Sequence, residues 1–302
     1  MKYSQQDIFA LLKSYFIEDI SKCKNDLNRI IEFNTDLTQI IYDSKMKLED
    51  WEVYIETLLI KAIHTSKSIL ELSEPKTLKS LKYPDRKIEI IDASSINVLV
   101  RSLLEAYLTL TYIYCLNIKK EETKFRFQLW KVSGLISRQK FKFTKKEYLD
   151  KQSNEKSIID ELIKELEANK YFHELNKGQL NKLKSYGLPK LVSWNKMIDK
   201  SDLNNKLFKD IYSLYSNYAH SEFLSMIQIN ETPFYTSNQK NIEGIILSLN
   251  ITRLINCLLI DFIRNKFKII EIVYHSYPNG LKQNIELLTK FAKKSPISNT
   301  WC

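Results

Sequence analysis

Two short patterns in the chain carry residue types suited to proton transfer and phosphate binding. Arg101 and Glu105 stand at positions i and i+4 of an otherwise apolar segment, so they share one helix face. An isolated charge is costly to bury, and each of the two therefore needs a partner. They form either a structural strut or part of a functional site. Because buried ion pairs stabilise proteins inefficiently, the pattern indicates a task beyond stability.

The second pattern leads to His220. Tyr212, Ser216 and His220 recur at every fourth position, which places them along one face of a predicted helix. Imidazole is the side chain best suited to proton transfer near neutral pH. Most histidines only satisfy local hydrogen bonds, and this reading stays open for His220. His64, His173 and His275 have no comparable neighbours in the sequence.

These patterns define one candidate site. Its predicted catalytic residues are His220, Arg101 and Glu105, and its predicted binding residues are Ser216, Tyr218, Tyr212 and Asn217. We expect the catalytic three to converge, with Glu105 within one hydrogen bond or one water of Arg101 or His220, because costly polar groups need partners.

Other common chemistries find no motif in the chain. It has no G-x-S-x-G, no G-x-G-x-x-G, no phosphate-binding loop and no H-E-x-x-H. Its four cysteines and four histidines show no zinc spacing, so we predict no metal and no cofactor. Cys115 and Cys257 lie in apolar segments and are predicted to be buried thiols in a reducing, cytoplasmic setting. The N-terminal segment lacks a secretory signal pattern.

The elements that must position the site are helices. Only 5 glycines and 6 prolines occur in 302 residues, which favours long helices over turn-rich β structure. We predict an all-α, irregular helical bundle around two central apolar helices, 94–116 and 238–273, the first apolar on every face. Arg253 in the second is either a buried cation or one that reaches the surface.

Other boundaries follow from periodicity and helix breakers. We predict further helices at 4–33, 35–73, 119–142, 193–229 and 279–293. Ser4 is the predicted cap of the first, the second has a predicted break near residue 47, and 193–229 forms one helix or a pair. We also predict an extended piece at Lys87–Ile91, a break at Thr232-Pro233 and a frayed tail. The predicted organisation is N-terminal helices at 1–80 and a core domain at 81–295, within which 143–192 are peripheral polar helices.

The charge of the chain suggests an anionic partner. Its net charge is +10, which favours RNA or another nucleic acid, anionic lipid or an acidic protein. An AT-rich coding sequence would give the same lysine excess without a specific partner. Charges inside both apolar segments argue against membrane insertion. A homodimer is compatible with the sequence.

The residues around the candidate site resemble a known family. The helix R-S-L-L-E-A-Y-L-T-L-T-Y-I-Y at 101–114 and the later G-L-P, S-W and Y-S-L-Y-S-N-Y-A-H-S-E segments within 187–222 resemble DUF5677, a bacterial family of unknown function. The resemblance covers residues 90–265 and leaves the first 80 residues outside. It implies a helical fold and no particular activity.

A looser likeness is to HEPN proteins, helical domains of toxins and phage-defence systems. The resemblance implies a ribonuclease site of the form Arg-x4–6-His. Here Tyr215, Leu214 or Ser213 occupies the place of that arginine, so Arg101 must pack beside His220 to replace it. Two functions therefore remain: a metal-independent ribonuclease of toxin or defence type, or a non-catalytic binding or scaffold protein whose polar cluster is structural. Access decides between them, since an enzyme needs an open site and a scaffold buries its cluster.

Overall fold

The computed structural model describes residues 19–114, 117–231 and 239–294. Apart from one short hairpin these residues form helices and their connections, so the predicted all-α class is confirmed. In chain order the α-helices are α1 Ile20–Asp43, α2 Val53–Leu72, α3 Ala93–Tyr114, α4 Lys120–Arg138, α5 Lys146–Glu167, α6 Lys177–Tyr186, α7 Trp194–Lys200, α8 Asn205–Ala219, α9 Phe223–Glu231, α10 Gln239–Lys266, α11 Lys268–Ser276 and α12 Asn279–Ala292. A 3₁₀ turn occupies Lys170–Phe172, and the hairpin pairs β1 Lys76–Lys79 with β2 Lys87–Ile90.

Contacts divide the described chain into two units. Unit 1 contains the described residues of 1–110 and 202–300, and unit 2 contains residues of 111–201. The helices within the predicted N-terminal part, 1–80, therefore share unit 1 with 202–300. Their separate folding as a domain stays a prediction.

Helix α10 is the centre of unit 1. It contacts α1, α2, α11 and α12, and every residue from 248 to 260 is buried. This confirms the central position predicted for the second apolar segment. Arg253 is fully buried and pairs with Asp26 of α1, with 3.1 Å between Nη2 and Oδ2. Arg253 is therefore a buried cation and does not reach the surface.

Helix α3 differs from the prediction on one face. Ile96, Val100 and Leu103 are fully buried, but Arg101 and Glu105 are only half-buried. The helix is therefore not surrounded on every side as its sequence suggested. The physical reason is the charge of the Arg101–Glu105 pair, which keeps that face in contact with solvent.

Polar residues inside helices explain one wrong boundary. Helix α1 runs without interruption through residues 33–35, where a break was predicted. The Asn34 amide donates to Asn256 Oδ1 at 3.2 Å, and the Thr35 hydroxyl donates to the Ile31 carbonyl at 2.9 Å. Both donor groups thus have acceptors without ending the helix. The predicted break near residue 47 and the extended piece at Lys87–Ile91 are confirmed.

Two later helices are divided more finely than predicted. The segment 193–229 forms three helices, α7, α8 and α9, rather than one or two. The apolar segment 238–273 ends its first helix at Lys266, and Phe267 has an extended backbone before α11 begins. The last predicted helix is confirmed as α12. The predictions for Ser4, Cys115, the Thr232-Pro233 break and the tail lie outside the described residues, whereas Cys257 is buried as predicted.

Unit 2 has an apolar core of its own. Helices α4, α5 and α6 contribute Phe125, Leu129, Ile159, Leu166 and Leu183 to one buried cluster. The polar region predicted at 143–192 therefore has an apolar side, which packs against α4.

Two of the described helices, Ala93–Tyr114 and Gln239–Lys266, are long and apolar enough to cross a membrane. In their most apolar windows, 61% and 83% of the residues are buried within the protein. Core helices of water-soluble proteins meet the same criteria. The expectation that neither helix enters a membrane stays a prediction.

Candidate active site

Helix α8 presents one apolar and one polar face. Phe208, Ile211 and Tyr215 are buried at the spacing of one helix side, and Asn204 caps the first turn by accepting the Leu207 N–H at 3.3 Å. Because this apolar side is held in the core, the stripe formed by Tyr212, Ser216 and His220 is directed away from the core.

A buried hydrogen-bond network holds α8 against α3 and α10. The Tyr215 and Ser248 hydroxyls lie 2.9 Å apart, and Ser248 donates to Asn97 Oδ1 at 2.8 Å. Burial raises the pKa of Tyr215 to about 12, although the bond with Ser248 opposes this. Tyr218 also hydrogen bonds to the Asn97 side chain. Asn97 stands one helical turn before Arg101, so the network fixes the register of the two site helices.

Arg101 is the centre of the candidate site. Its Nε donates to Glu105 Oε1 at 3.1 Å, and its Nη2 donates to the Tyr212 hydroxyl at 3.3 Å. Its Nη1 lies 3.2 Å from His220 Nε2. The predicted proximity of Arg101, Glu105 and His220 is therefore confirmed. We call Arg101, Glu105, Tyr212 and His220 the Arg101 cluster.

Tyr212 closes a ring of bonds with the ion pair. Its hydroxyl donates to Glu105 Oε1 at 3.2 Å while accepting from Arg101. Burial raises the pKa of this hydroxyl, and the Glu105 carboxylate raises it further against the opposing effect of Arg101. Tyr212 therefore remains a proton donor that holds the carboxylate and guanidinium in place.

The contact with Arg101 assigns the tautomer of His220. A guanidinium has only N–H donors, so Nε2 must accept, and the proton of the neutral ring lies on Nδ1. Each of Arg101 Nη1 and Nη2 has a second N–H that bonds to no described residue. The cluster thus offers unused donors beside a basic ring nitrogen, which is an arrangement suited to an oxyanion.

The cluster is open to solvent. The side chains of Arg101 and Glu105 are 16% and 27% exposed, and His220 is exposed. The arrangement therefore differs from the pair with Asp26, in which the Arg253 side chain is only 1% exposed. A molecule in solution can reach the His220 ring directly.

The end of α8 presents His220 through a strained turn. Ser221 has a φ of 51°, in the left-handed region that favours glycine. The Ser221 N–H donates to the Tyr218 carbonyl at 3.3 Å, and the Glu222 N–H donates to the Asn217 carbonyl at 2.9 Å. This is a Schellman ending with serine in place of the usual glycine. It ends the helix directly after the histidine.

Three predicted binding residues make no hydrogen bond to the side chains of the Arg101 cluster in the described part of the chain. The Ser216 hydroxyl donates to the Tyr212 carbonyl at 2.5 Å, and the Asn217 amide donates to the Ser213 carbonyl at 2.9 Å. Tyr218 bonds to Asn97 as described above. Their direct role in ligand binding stays a prediction, whereas Tyr212 lies inside the cluster.

Sequence reasoning missed two features. Asn97, Arg101, Glu105 and Thr109 recur at every fourth position of α3, and this longer polar stripe would have identified Asn97. The second is a cluster around His275, which was wrongly taken to have no comparable setting.

We call Arg264, Glu271, Tyr274 and His275 the Arg264 cluster. Arg264 donates to both oxygens of Glu271, at 2.7 and 3.0 Å, and lies 3.5 Å from the centroid of the Tyr274 ring. His275 Nε2 lies 3.2 Å from Glu271 Oε1. The i+4 spacing of Glu271 and His275 was the available signal.

The family comparison agrees with the motifs. The family model for DUF5677, a family of unknown function, matches residues 52–233. The chain belongs to the DUF5677 family. The match begins nearer the N-terminus and ends earlier than the resemblance at 90–265 indicated, so α2 and the hairpin belong to the DUF5677 region. No curated protein and no solved structure matches the chain.

The described residues contain no group of three or more His, Cys, Asp or Glu side chains placed to hold a metal ion. The expectation of a metal-independent site stays a prediction. The Arg101 cluster contains one carboxylate, that of Glu105, and its other three side chains are cationic or neutral.

Proposed function

We propose that this DUF5677 protein cleaves RNA without a metal, at the Arg101 cluster. The observation that carries the proposal is the contact between Arg101 and the exposed His220, in a cluster that solvent reaches. The neutral imidazole of His220 and the guanidinium of Arg101 share one hydrogen bond, which leaves the positive charge of Arg101 uncompensated on that side. They suit an anionic ligand that both can hold.

The proposed reaction uses the 2′-hydroxyl of RNA as nucleophile. The Arg101 guanidinium turns from His220 to a phosphate oxygen, which frees the lone pair of Nε2. His220 Nε2 takes the 2′-hydroxyl proton as the 2′-oxygen bonds to phosphorus. The bond from phosphorus to the 5′-oxygen breaks, and the 5′-oxygen takes a proton from solvent. The products are a 2′,3′-cyclic phosphate and a 5′-hydroxyl.

The remaining residues position these groups. Arg101 stabilises the charge that develops on the phosphorus-bound oxygens. Glu105 and Tyr212 hold the guanidinium through the bonds at Nε and Nη2. Ser216 and Tyr218 are proposed to contact phosphate oxygens. The loose likeness to HEPN ribonucleases supports the same reading, since Arg101 supplies from another helix the arginine that α8 lacks.

A cytoplasmic toxin or phage-defence effector is the biological role that we propose for such an activity. The second candidate is a non-catalytic binding or scaffold protein. It is favoured by the internal pairing of Glu105, whose Oε1 already accepts from Arg101 and Tyr212. Under that reading the cluster only sets the packing of α3 against α8.

The test compares two histidine variants on purified protein. His220→Ala and His275→Ala each remove an exposed histidine from a cluster containing Arg, Glu and Tyr. We expect wild type and His275→Ala to cleave structured RNA with and without chelator. General acid–base catalysis is worth about 10²–10⁴-fold, so His220→Ala should lose activity by that factor.

The products should carry 2′,3′-cyclic phosphate ends. Equal cleavage by both variants would overturn the role of His220. No cleavage by any of the three proteins would favour the scaffold reading, and cleavage lost with chelator would show a metal site.

A further inference from the structure

Unit 2 contains an open groove of about 750 Å³ between α4, α6 and the segment that follows α6. Trp130 and Gly134 of α4 line one side, and Lys182, Tyr186 and Lys190 line the other. None of the described residues that line it is Asp or Glu. In a chain with 36 acidic residues, a lining of this size without a carboxylate favours an anionic occupant.

Glycine is concentrated in this groove. Of the 5 glycines in the chain, Gly134, Gly178 and Gly187 all line it. Gly134 lies inside α4, where glycine costs about 0.5–1 kcal/mol relative to alanine. A Cβ at Gly134 would meet nothing within 4 Å, so packing does not explain this glycine. The absence of a side chain at Gly134 leaves open space in the groove beside Trp130.

The wall opposite α4 is held in place by a close backbone approach to α4 and by a hydrogen bond to Tyr112. Gly187 has a φ of 87°, and a Cβ there would lie 2.7 Å from the Ser133 Cα atom. The Leu191 N–H donates to the Tyr112 hydroxyl at 3.1 Å, which fixes the segment beyond Gly187. The groove is therefore formed before any ligand arrives, and binding costs little ordering of the backbone.

The lining of the groove contains two aromatic side chains, Trp130 and Tyr186, and two lysines, Lys182 and Lys190. Tyr186 is 51% exposed, and the Lys140 Nζ lies 5.5 Å from the centroid of its ring. Lys190 also lies with its Nζ 3.8 Å from the centroid of the Trp194 ring, which is outside the lining. A positively charged groove with exposed aromatic faces is the arrangement by which proteins bind single-stranded nucleic acid. An acidic peptide would use the lysines but not the flat faces.

We infer that this groove binds single-stranded RNA, with bases stacked on its aromatic rings and phosphates held by its lysines. The inference goes beyond the proposed cleavage, because it concerns binding by unit 2. It stands or falls on affinity, whatever the chemistry of His220.

The experiment measures affinity with full-length protein and a fluorescein-labelled 2′-O-methyl oligouridylate. This probe has no 2′-hydroxyl, so it cannot undergo the proposed cleavage and reports binding alone. Gly134→Leu fills the groove and improves helix propensity, so it should fold as well as wild type. Gly244→Leu is its matched control, because Gly244 is also an exposed helical glycine with nothing within 4 Å.

Wild type and Gly244→Leu should bind the probe alike, and Gly134→Leu should bind it more weakly. Tyr186→Ala should weaken binding by roughly 5- to 150-fold, the loss expected from one stacked base. Lys182→Gln should lower the slope of log affinity against log salt by about 0.7, whereas Lys184→Gln should leave it unchanged. Lys184 lies on the same helix and does not line the groove.

Several results would overturn the inference. One is binding of the probe that is equally strong in wild type and Gly134→Leu. Another is no binding by wild type at low salt. A third is a polyglutamate peptide that loses affinity in Gly134→Leu while the oligouridylate does not, which would assign the groove to an acidic protein. Loss of RNA cleavage in His220→Ala would not affect any of these outcomes.

Discussion

The Arg101 cluster and the Arg264 cluster contain the same four residue types, connected in a different order. In the Arg264 cluster the Glu271 carboxylate lies between the arginine and the histidine and bonds to both. In the Arg101 cluster the arginine lies between the carboxylate and the histidine and donates to both. In the Arg264 cluster the carboxylate therefore neutralises the positive charge of the arginine from within the cluster. The order in the Arg101 cluster leaves a guanidinium and an imidazole side by side.

The difference teaches that composition alone does not identify a site. Arg264 and Glu271 form a two-bond ion pair that needs no further ligand, and His275 adds to it from an exposed position. Arg101 gives only one bond to its carboxylate and directs its remaining donors to Tyr212, His220 and solvent. An oxyanion is the ligand that would complete the second arrangement, whereas the first is already complete.

The largest expected effect comes from replacing each arginine by lysine. Lysine keeps the charge beside the carboxylate but loses the planar fork of donors. We expect Arg101→Lys to reduce RNA cleavage by about 10²–10³-fold, the usual loss when one electrostatic donor is removed. Arg264→Lys should cleave as wild type does. Single-turnover assays on proteins with matched helical circular dichroism measure this, and similar losses in both variants would remove the distinction between the clusters.

The next effect is on stability, at the two tyrosines. Tyr212→Phe removes the hydroxyl that joins Arg101 to Glu105 and should lower the free energy of unfolding by about 0.5–1.5 kcal/mol. Tyr274→Phe removes a bond to the Lys282 carbonyl, at 3.2 Å, and should cost a similar amount. Only Tyr212→Phe should also reduce cleavage. Urea unfolding followed by cleavage assays separates the two, and unchanged cleavage in Tyr212→Phe would contradict its positioning role.

A smaller effect is expected at the turn that follows His220. Ser221 and Lys45 are the described non-glycine residues with positive φ, at 51° and 47°. Glycine relieves that strain, so Ser221→Gly and Lys45→Gly should each stabilise the fold by about 0.5–1 kcal/mol. Because Ser221 follows the proposed base, only its variant should alter cleavage. Thermal melting measures the stability change, and a loss of stability in both variants would show that the turns are not strained.

The smallest effect is the pH dependence of the Arg264 cluster. Hydrogen bonds from Arg264 hold the pKa of the Glu271 carboxyl below its usual value of 4.5. The folded state therefore binds the proton less readily than the unfolded chain, and the ion pair stabilises the protein above about pH 4.5. That contribution is lost as the pH falls through the lower, folded pKa. Since Glu271 is 42% exposed, it amounts to less than about 1 kcal/mol.

Glu271→Gln checks this directly. At about pH 7 the variant should melt slightly below wild type, and the gap should close as the pH falls through the lowered pKa of the folded-state carboxyl. A gap that widens at low pH would mean that Glu271 is destabilising in the folded state. Cleavage of RNA should be the same in both proteins near neutral pH.

Local pattern was enough to predict much of this protein. The scarcity of glycine and proline and the 3.6-residue periodicity predicted the helical class, because helix formation depends on neighbours within a few positions. The i, i+4 spacing predicted the bond between Arg101 and Glu105 for the same reason. The stripe that ends at His220 also followed from spacing.

Tertiary structure decided what those local units face. Arg101 and His220 are 119 positions apart, and their contact depends on how α3 and α8 are rotated in the core, which the Asn97–Ser248–Tyr215 network sets. The half-exposed face of α3 and the uninterrupted α1 likewise depend on partners from distant helices. Periodicity defines which residues share a helix face, but only the packing of the whole core determines which face meets solvent and which residue of another helix lies opposite.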